Sequence, residues 1–322
     1  MNIANVQLRW ENHCHTDESD GGQGFEVLLN EAKSRGMHIL NYTDHDRFTL
    51  EKMLQMTHDA WIISYHSAEI SACNYDWDRP KSLHLTCYLS SRSLELEAAC
   101  NNTITKKVEL ITKQFEKLIE YGFRWDINEL YRYYKVDRNL DMLNKYDLSR
   151  YILTKSRNNF LAADLLWVDA MKNVDPAKLL TECLQPWSPH YENFDVQVPY
   201  YEPSVEHIWS LAHQQSWILS IAHPNFSFAD IWPDWFEKVF PQYYEMWVNA
   251  IEISSFADIK WLSVMYRLAK KYNLTLTIWS DNHILWQPDK THANFWELNP
   301  VIVGMHWEVD AILRGIINKV EG

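Results

Sequence analysis

His13-Cys14-His15-Thr16-Asp17-Glu18-Ser19-Asp20-Gly21 is the stretch that decides how this 322-residue chain is read. It follows Val6-Gln7-Leu8-Arg9-Trp10, where apolar and polar residues alternate as in a strand. A strand running into a His-x-His pair carries two imidazoles at its end, with the residue between them turned to the other face. Asp20 comes five residues after His15 and is followed by Gly21, Gly22 and Gly24, three of only eight glycines in the chain. A loop so rich in glycine needs backbone conformations that other residues resist.

The same kind of residue recurs downstream, each time at the end of a predicted strand. A helix over Phe25–Ala32 ending near Gly36 leads to a strand over His38–Thr43, which delivers Asp44-His45-Asp46. After a helix over Glu51–Ala60 come strands over Trp61–Ala72, with Glu69, and Ser82–Tyr88, with His84. This alternation predicts parallel βα units. The rhythm resumes with a helix over Ser204–Gln214 and a strand over Trp217–Ala222 that ends in His223-Pro224. A strand over Ala250–Ser254, a helix over Ile259–Tyr272 and a strand over Leu274–Trp279 follow, the last ending in Ser280-Asp281-Asn282-His283. Seven strands are expected in all.

Between the two halves lies text of another kind. Residues 92–199 read as helices over Thr105–Tyr121, Ile127–Tyr134, Asp147–Leu153, Phe160–Met171 and Pro176–Cys183, with Gly122 as a helix stop. This insert holds fifteen of the chain's 30 basic residues and sixteen of its 43 acidic ones, so the overall charge of −13 sits almost wholly outside it. Lys106, Lys107, Lys145 and Arg150 are the insert's candidates for holding a phosphate. Residues 1–91 and 200–322 would then form one discontinuous domain.

Composition narrows the function classes. A charge of −13 argues against attraction to duplex DNA or to anionic lipid. No run reaches the roughly 18 apolar residues of a membrane span, and the N-terminus lacks the basic-then-apolar pattern of a secretory signal. Five cysteines, an odd number without CxxC spacing, predict reduced thiols in a cytoplasmic protein.

Collected together, His13, His15, Asp20, His45, Glu69, His84, His223, Asp281 and His283 are nine metal-type ligands at strand ends. Imidazole mixed with carboxylate suits zinc, iron or manganese better than calcium or magnesium. Nine ligands can hold more than one cation, and Glu69 has two oxygens with which to bridge. His58, His190, His207, His213 and His292 read as ordinary helix and loop residues, and His66 as a neighbour of the site.

His-x-His-x4-Asp-Gly, Thr-Asp-His-Asp, a Glu on the third strand, His-Pro and Ser-Asp-x-His, in that order, resemble the PHP (polymerase and histidinol phosphatase) family over about residues 6–90 and 203–284. The resemblance implies a distorted (β/α)7 barrel with a mostly helical insert and a centre of two or three divalent transition-metal ions. It implies His13, His15, Glu69 and Asp281 on a first ion, Glu69, His84 and His223 on a second, and Asp20, His45 and His283 on a third. A water activated by such ions, whose pKa in bulk is about 15.7, would attack phosphorus with no protein nucleophile. The long insert resembles the branch acting on nucleoside 3′,5′-bisphosphates or short 5′-phosphorylated RNA. A histidinol-phosphate-like monoesterase is the alternative, and a metal-bound but inactive regulatory module the more distant one. The oligomeric state stays open.

Overall fold

A computed structural model describes residues 9–74, 81–133, 145–169, 171–184, 190, 202–214, 217–228, 231–254, 257–281 and 283. The strand expected over Val6–Trp10 falls largely, and His292 wholly, outside them. The chain divides into two compact units, residues 1–101 with 202–322, and residues 102–201.

Among the described residues the first unit carries seven strands: β1 (Trp10–Cys14), β2 (Ile39–Tyr42), β3 (His66–Asn74), β4 (Lys81–Leu89), β5 (Trp217–Ile221), β6 (Ala250–Ser254) and β7 (Thr275–Trp279). β1 and β2 form a parallel pair, and β3-β4-β5-β6-β7 a five-stranded sheet in that order. Hydrogen bonds join the two sheets at both edges. On one side Ile63 N–H donates to His38 C=O (2.8 Å) and Asp46 N–H to Glu69 C=O (2.7 Å). On the other, Asp281 N–H donates to His13 C=O (3.0 Å).

One expectation fails. β4 is antiparallel to both β3 and β5, so the chain is not an uninterrupted series of parallel βα units. The cause is length: residues 75–80 alone connect β3 to β4, whereas a parallel crossover takes a dozen residues or more. The reversal explains how His84, in the first half of β4, meets residues that follow the other strands. Its carbonyl accepts from Ala222 N–H (3.0 Å), next to His223.

The register sorts the five-stranded sheet into two faces. Ala68, Ile70, Leu85, Cys87, Leu219, Ile221, Ile251, Ile253, Leu276 and Ile278 lie in the main apolar core, together with residues of four helices. Glu69 pairs with Thr86, Ser71 with His84, and Glu252 with Thr277, which puts these polar residues on the opposite face. That face is buried too: Glu69, Thr86, Ser220, Glu252 and Thr277 are all inaccessible to solvent. A buried polar face is tolerated only where its groups find partners.

The helices behind the apolar face include α8 (Val205–Ala212), α10 (Pro233–Glu245) and α11 (Ile259–Tyr272). α11 begins where Asp258 accepts from the N–H groups of Lys260 (2.9 Å) and Trp261 (3.0 Å), a cap worth about 1 kcal/mol. It ends at Asn273, in the left-handed region at φ 53°. α10 is not anticipated from the sequence, because Pro241 stands inside it and proline disrupts a helix interior. Its buried Phe236, Phe240 and Tyr243, spaced four and three apart, are the helical signal that outweighs the proline.

In the second unit Ile111, Phe115, Leu118, Phe123, Leu130, Leu148, Tyr151 and Ile152 lead a core of their own. They come from α3 (Leu94–Tyr121), α4 (Ile127–Tyr133), α5 (Lys145–Leu153) and the turns between. α3 starts eleven residues before the expected Thr105 and stops at Gly122, whose φ of 112° suits glycine. α6 (Ser156–Leu165) is shorter than the Phe160–Met171 expectation at its far end, and the last segment is α7 (Pro176–Leu179) followed by a π turn over Leu180–Leu184. No helix of the described residues is long and apolar enough to cross a membrane.

Candidate metal centre

β1 alternates by face, so Glu11, His13 and His15 lie on one side and Cys14 on the other. Cys14 is buried among Leu28, Leu40 and Met53, with Sγ 3.4 Å from Asn41 C=O. Burial and the carboxylates of Glu11 and Asp44 push its thiol well above the ordinary value, which leaves it a poor nucleophile. All five cysteines are free and buried.

Glu69 is the centre of the arrangement. Its Oε1 lies 2.7 Å from His223 Nε2 and 2.9 Å from His84 Nδ1. Its Oε2 lies 2.8 Å from His45 Nδ1, 3.3 Å from His13 Nε2 and 3.4 Å from His15 Nε2. Despite those three ring nitrogens, Oε2 is buried and accepts no hydrogen bond. Burial alone would raise the Glu69 pKa, but the imidazoles of His84, His13, His45 and His223 outweigh it and hold the carboxyl well below the usual range.

Around Oε2 the atoms are spaced as ligands of one ion would be. His13 Nε2 lies 3.2 Å from His15 Nε2 and 3.5 Å from Asp281 Oδ1, and His15 Nε2 lies 3.0 Å from Asp281 Oδ1. Two ligand atoms each about 2.1 Å from a metal stand about 3.0 Å apart at right angles and about 3.4 Å apart at the tetrahedral angle. The spacing therefore fits a small divalent ion, with both imidazole nitrogens turned toward one point. His45, Glu69 and His84 form a second group, with His223 on the Glu69 oxygen that faces His84. His15, Asp20, His45 and His283 form a third, with Asp20 Oδ1 3.2 Å from His283 Nε2 and Oδ2 3.6 Å from His45 Nε2. All nine residues singled out in the sequence thus come together.

Protonation follows from this crowding. Burial and the nearby His283 and His45 push His15 down to about 3, so its ring is neutral and its lone pair available. Burial opposes a charge on His84 and His283 as well. Glu69 nevertheless raises His84 to about 9, and Asp20 with Asp281 raises His283 to about 10.

Several buried carboxylates beneath these groups, Glu252, Asp44 and Glu11 among them, went unassigned in the sequence. Glu252, at the middle of β6, accepts from His13 Nδ1 (3.1 and 3.2 Å), Thr86 Oγ1 (2.8 Å) and His223 N–H (3.0 Å). Asp44 accepts from Thr16 N–H (2.7 Å), Thr16 Oγ1 (2.7 Å) and Ser19 Oγ (2.6 Å), and so holds the loop that carries Asp20. Glu11 accepts from His13 N–H (2.9 Å) and Ser280 N–H (3.2 Å), and burial lifts its carboxyl to about 7. The available signal was a charged residue inside an apolar strand, as in Ala250-Ile251-Glu252-Ile253. In the glycine loop, a Cβ at Gly21 would stand 2.5 Å from His15 C=O oxygen and 2.6 Å from that of Thr16, so only glycine fits beside β1.

The four insert cations belong to the second unit. Lys106 pairs with Glu109 (2.9 Å), and Lys145 Nζ donates to Leu184 C=O (3.1 Å). Lys107 is half-buried and Arg150 exposed. His58 Nε2 lies 2.9 Å from Ser64 C=O, and His66 Nε2 3.6 Å from Glu51. One further Ser–His contact was not expected: Ser227 Oγ lies 3.0 Å from His223 Nδ1 and donates to Ala222 C=O (3.1 Å).

Known proteins resemble the chain in part. No family model matches it. Over 117 residues it is 28% identical to phosphoribosyl 1,2-cyclic phosphate 1,2-diphosphodiesterase of Eggerthella lenta, a match spanning 36% of this chain and 44% of that protein. Among solved structures, a Bifidobacterium adolescentis protein provisionally assigned as a metal-dependent phosphoesterase superposes with a TM-score of 0.69 at 15% identity, covering 98% of this chain and 97% of that one. An amidohydrolase from Chromobacterium violaceum, solved with bound sulfate and no metal, gives 0.65 at 19% identity, covering 94% and 96%. The chain shares the mixed α/β fold of these two structures.

Proposed function

We propose that this chain is a metal-dependent phosphoesterase, a hydrolase of phosphoric ester bonds, that holds two or three manganese, iron or zinc ions through His13, His15, Asp20, His45, Glu69, His84, His223, Asp281 and His283. One observation carries the reading: the buried, hydrogen-bond-free Oε2 of Glu69 among three imidazole nitrogens at 2.8–3.4 Å. Bound there, divalent cations make water a nucleophile near neutral pH and neutralise charge on phosphoryl oxygens.

The chain's own residues set the stage for that chemistry. Glu69 turns Oε1 toward His84 and His223 and Oε2 toward His13 and His15, which supports its role as the bridge. Ser227 donates to Ala222 C=O, so its oxygen is left to accept from His223 Nδ1–H, which turns the Nε2 lone pair toward the cluster. Ser19 Oγ is committed to Asp44, and Cys14 faces away. None of these three groups is thereby left poised to attack, which favours direct hydrolysis by water. The bonds across both sheet edges support the distorted barrel as the frame that brings the ligands to one end.

For substrate, the reading is a phosphate ester of a nucleotide: a nucleoside 3′,5′-bisphosphate or a short 5′-phosphorylated RNA. The near-balanced charge of the insert, beside the strongly acidic remainder of the chain, supports it, and the Eggerthella relative, named for a cyclic phosphoribose diester, adds that diester class. The engagement of Lys106 by Glu109 and of Lys145 by Leu184 favours the second reading, a small-molecule phosphomonoesterase. A panel of monoesters, bisphosphonucleosides, cyclic phosphodiesters and 5′-phosphorylated oligoribonucleotides, assayed with manganese, iron and zinc, separates the two. Preference for the nucleotide substrates is expected, with Ser227→Ala still active. A phosphorylated Ser227 trapped during turnover would refute direct hydrolysis.

A further inference from the structure

Glu252 stands outside the nine ligands, yet its bonds reach residues of two different ion positions. Both of its oxygens lie 3.1–3.2 Å from His13 Nδ1, and Oε2 also accepts from the backbone N–H of His223. Thr86, two residues beyond His84 on β4, donates to Oε1 at 2.8 Å. Glu252 is itself fully buried at the middle of β6. We propose that Glu252 is a positioning residue that fixes the ligand geometry of the first and second ion positions together. This rests on the metal-centre reading above.

The physical case has two parts. A carboxylate accepts only, so the ring nitrogen facing it must carry the proton. His13 is therefore held with Nδ1–H toward Glu252 and its Nε2 lone pair toward His15, Glu69 and Asp281. A carboxylate behind a ligating imidazole also raises its basicity and fixes its ring plane. The second part concerns His223, whose backbone sits at φ 33°, ψ 58°, in the left-handed region disfavoured for a non-glycine residue. A charge-assisted bond from its N–H to a rigid, buried carboxylate helps hold that conformation, and with it the aim of Nε2 at Glu69 Oε1. Neither part touches Asp20, His45 or His283. Among the described residues, the backing of His283 Nδ1 is instead the Asp281 C=O at 2.9 Å.

The test reads ion binding rather than turnover. Metal-stripped protein is titrated with zinc in a chelator buffer, bound ions are counted by elemental analysis, and melting temperature is followed in parallel. Glu252→Gln keeps the shape but gives the site an amide that both donates and accepts. It is expected to weaken two of the ions by about 10- to 100-fold while leaving a third unmoved. Asp20→Asn serves as the opposite control, weakening the third alone. Thr86→Val removes a single donor to Glu252 and should produce a smaller loss at the same two ions, which keeps the inference testable if Glu252→Gln fails to fold. Wild-type affinity in a folded Glu252→Gln, or an equal loss at every ion, would overturn the positioning role alone. A wild type that binds no ion would instead overturn the metal centre itself, and this inference with it.

Discussion

Glu69→Ala is the most revealing single change, because one side chain faces five imidazoles. In the metal-free protein it removes the carboxylate that compensates His84 and His13, with no solvent to take its place, since Glu69 is wholly buried. Breaking one partner out of a buried ionic cluster costs about 3–5 kcal/mol. For a unit of this size that is roughly 6–20 °C in Tm, at about 2–4 °C per kcal/mol. In the reconstituted protein both ions that share Glu69 should be lost, leaving at most the one held by Asp20, His45 and His283. The assay is a thermal melt of the chelator-treated protein, followed by elemental analysis after reloading. His58→Ala is the comparison: it gives up a contact with the Ser64 carbonyl, worth about 1 kcal/mol, and should bind a full complement of ions. Equal ion counts in Glu69→Ala and wild type would refute the bridge.

Three further changes test other parts of the account. Gly21→Ala places a methyl group against the backbone of His15 and Thr16, so the loop must shift; the ion at Asp20 should weaken at least tenfold, read by chelator competition, while the other ions stay. Stability of the metal-free protein should fall as pH rises from about 6.5 to 10. His84 and His283 have folded-state values raised to about 9 and about 10, so their contribution is full below the unfolded value of about 6.5 and is lost through those pKa values, whereas the loss from ionising the buried Glu11 carboxyl, at about 7, falls mainly below this span. Melts across pH with and without zinc check this, and a metal-free Tm that climbs from pH 7 to 10 would contradict it. Arg150→Ala should raise KM for a bisphosphonucleoside or 5′-phosphorylated RNA roughly 10- to 150-fold, the equivalent of a charge-assisted contact of about 1.5–3 kcal/mol, and leave a simple monoester unchanged; equal effects on both would favour the monoesterase.

The cluster was legible because its nine imidazoles and carboxylates recur along successive strands, and the fold gathers them. What lay one layer deeper was not. Ile251-Glu252-Ile253 reads as an ordinary strand until the register turns Glu252 inward, onto a face shared with Glu69 and Thr86. Asp44 sat beside the chosen His45, but its role depends on Thr16 and Ser19 folding back over it, a contact across 25 to 28 residues. The direction of β4 was recoverable from the short link after Asn74, since chain length alone forbids a parallel crossover. α10 was hidden by Pro241, whose lost hydrogen bond is outweighed by the burial of Phe236, Phe240 and Tyr243.

The most direct test of the central claim is turnover of the preferred phosphate ester by one preparation in three states: as purified, stripped of metal, and reconstituted with manganese, iron or zinc. The account predicts hydrolysis that disappears on stripping and returns with two or three bound ions per chain. Hydrolysis that survives complete removal of metal, or fewer than one ion bound after reconstitution, would contradict it.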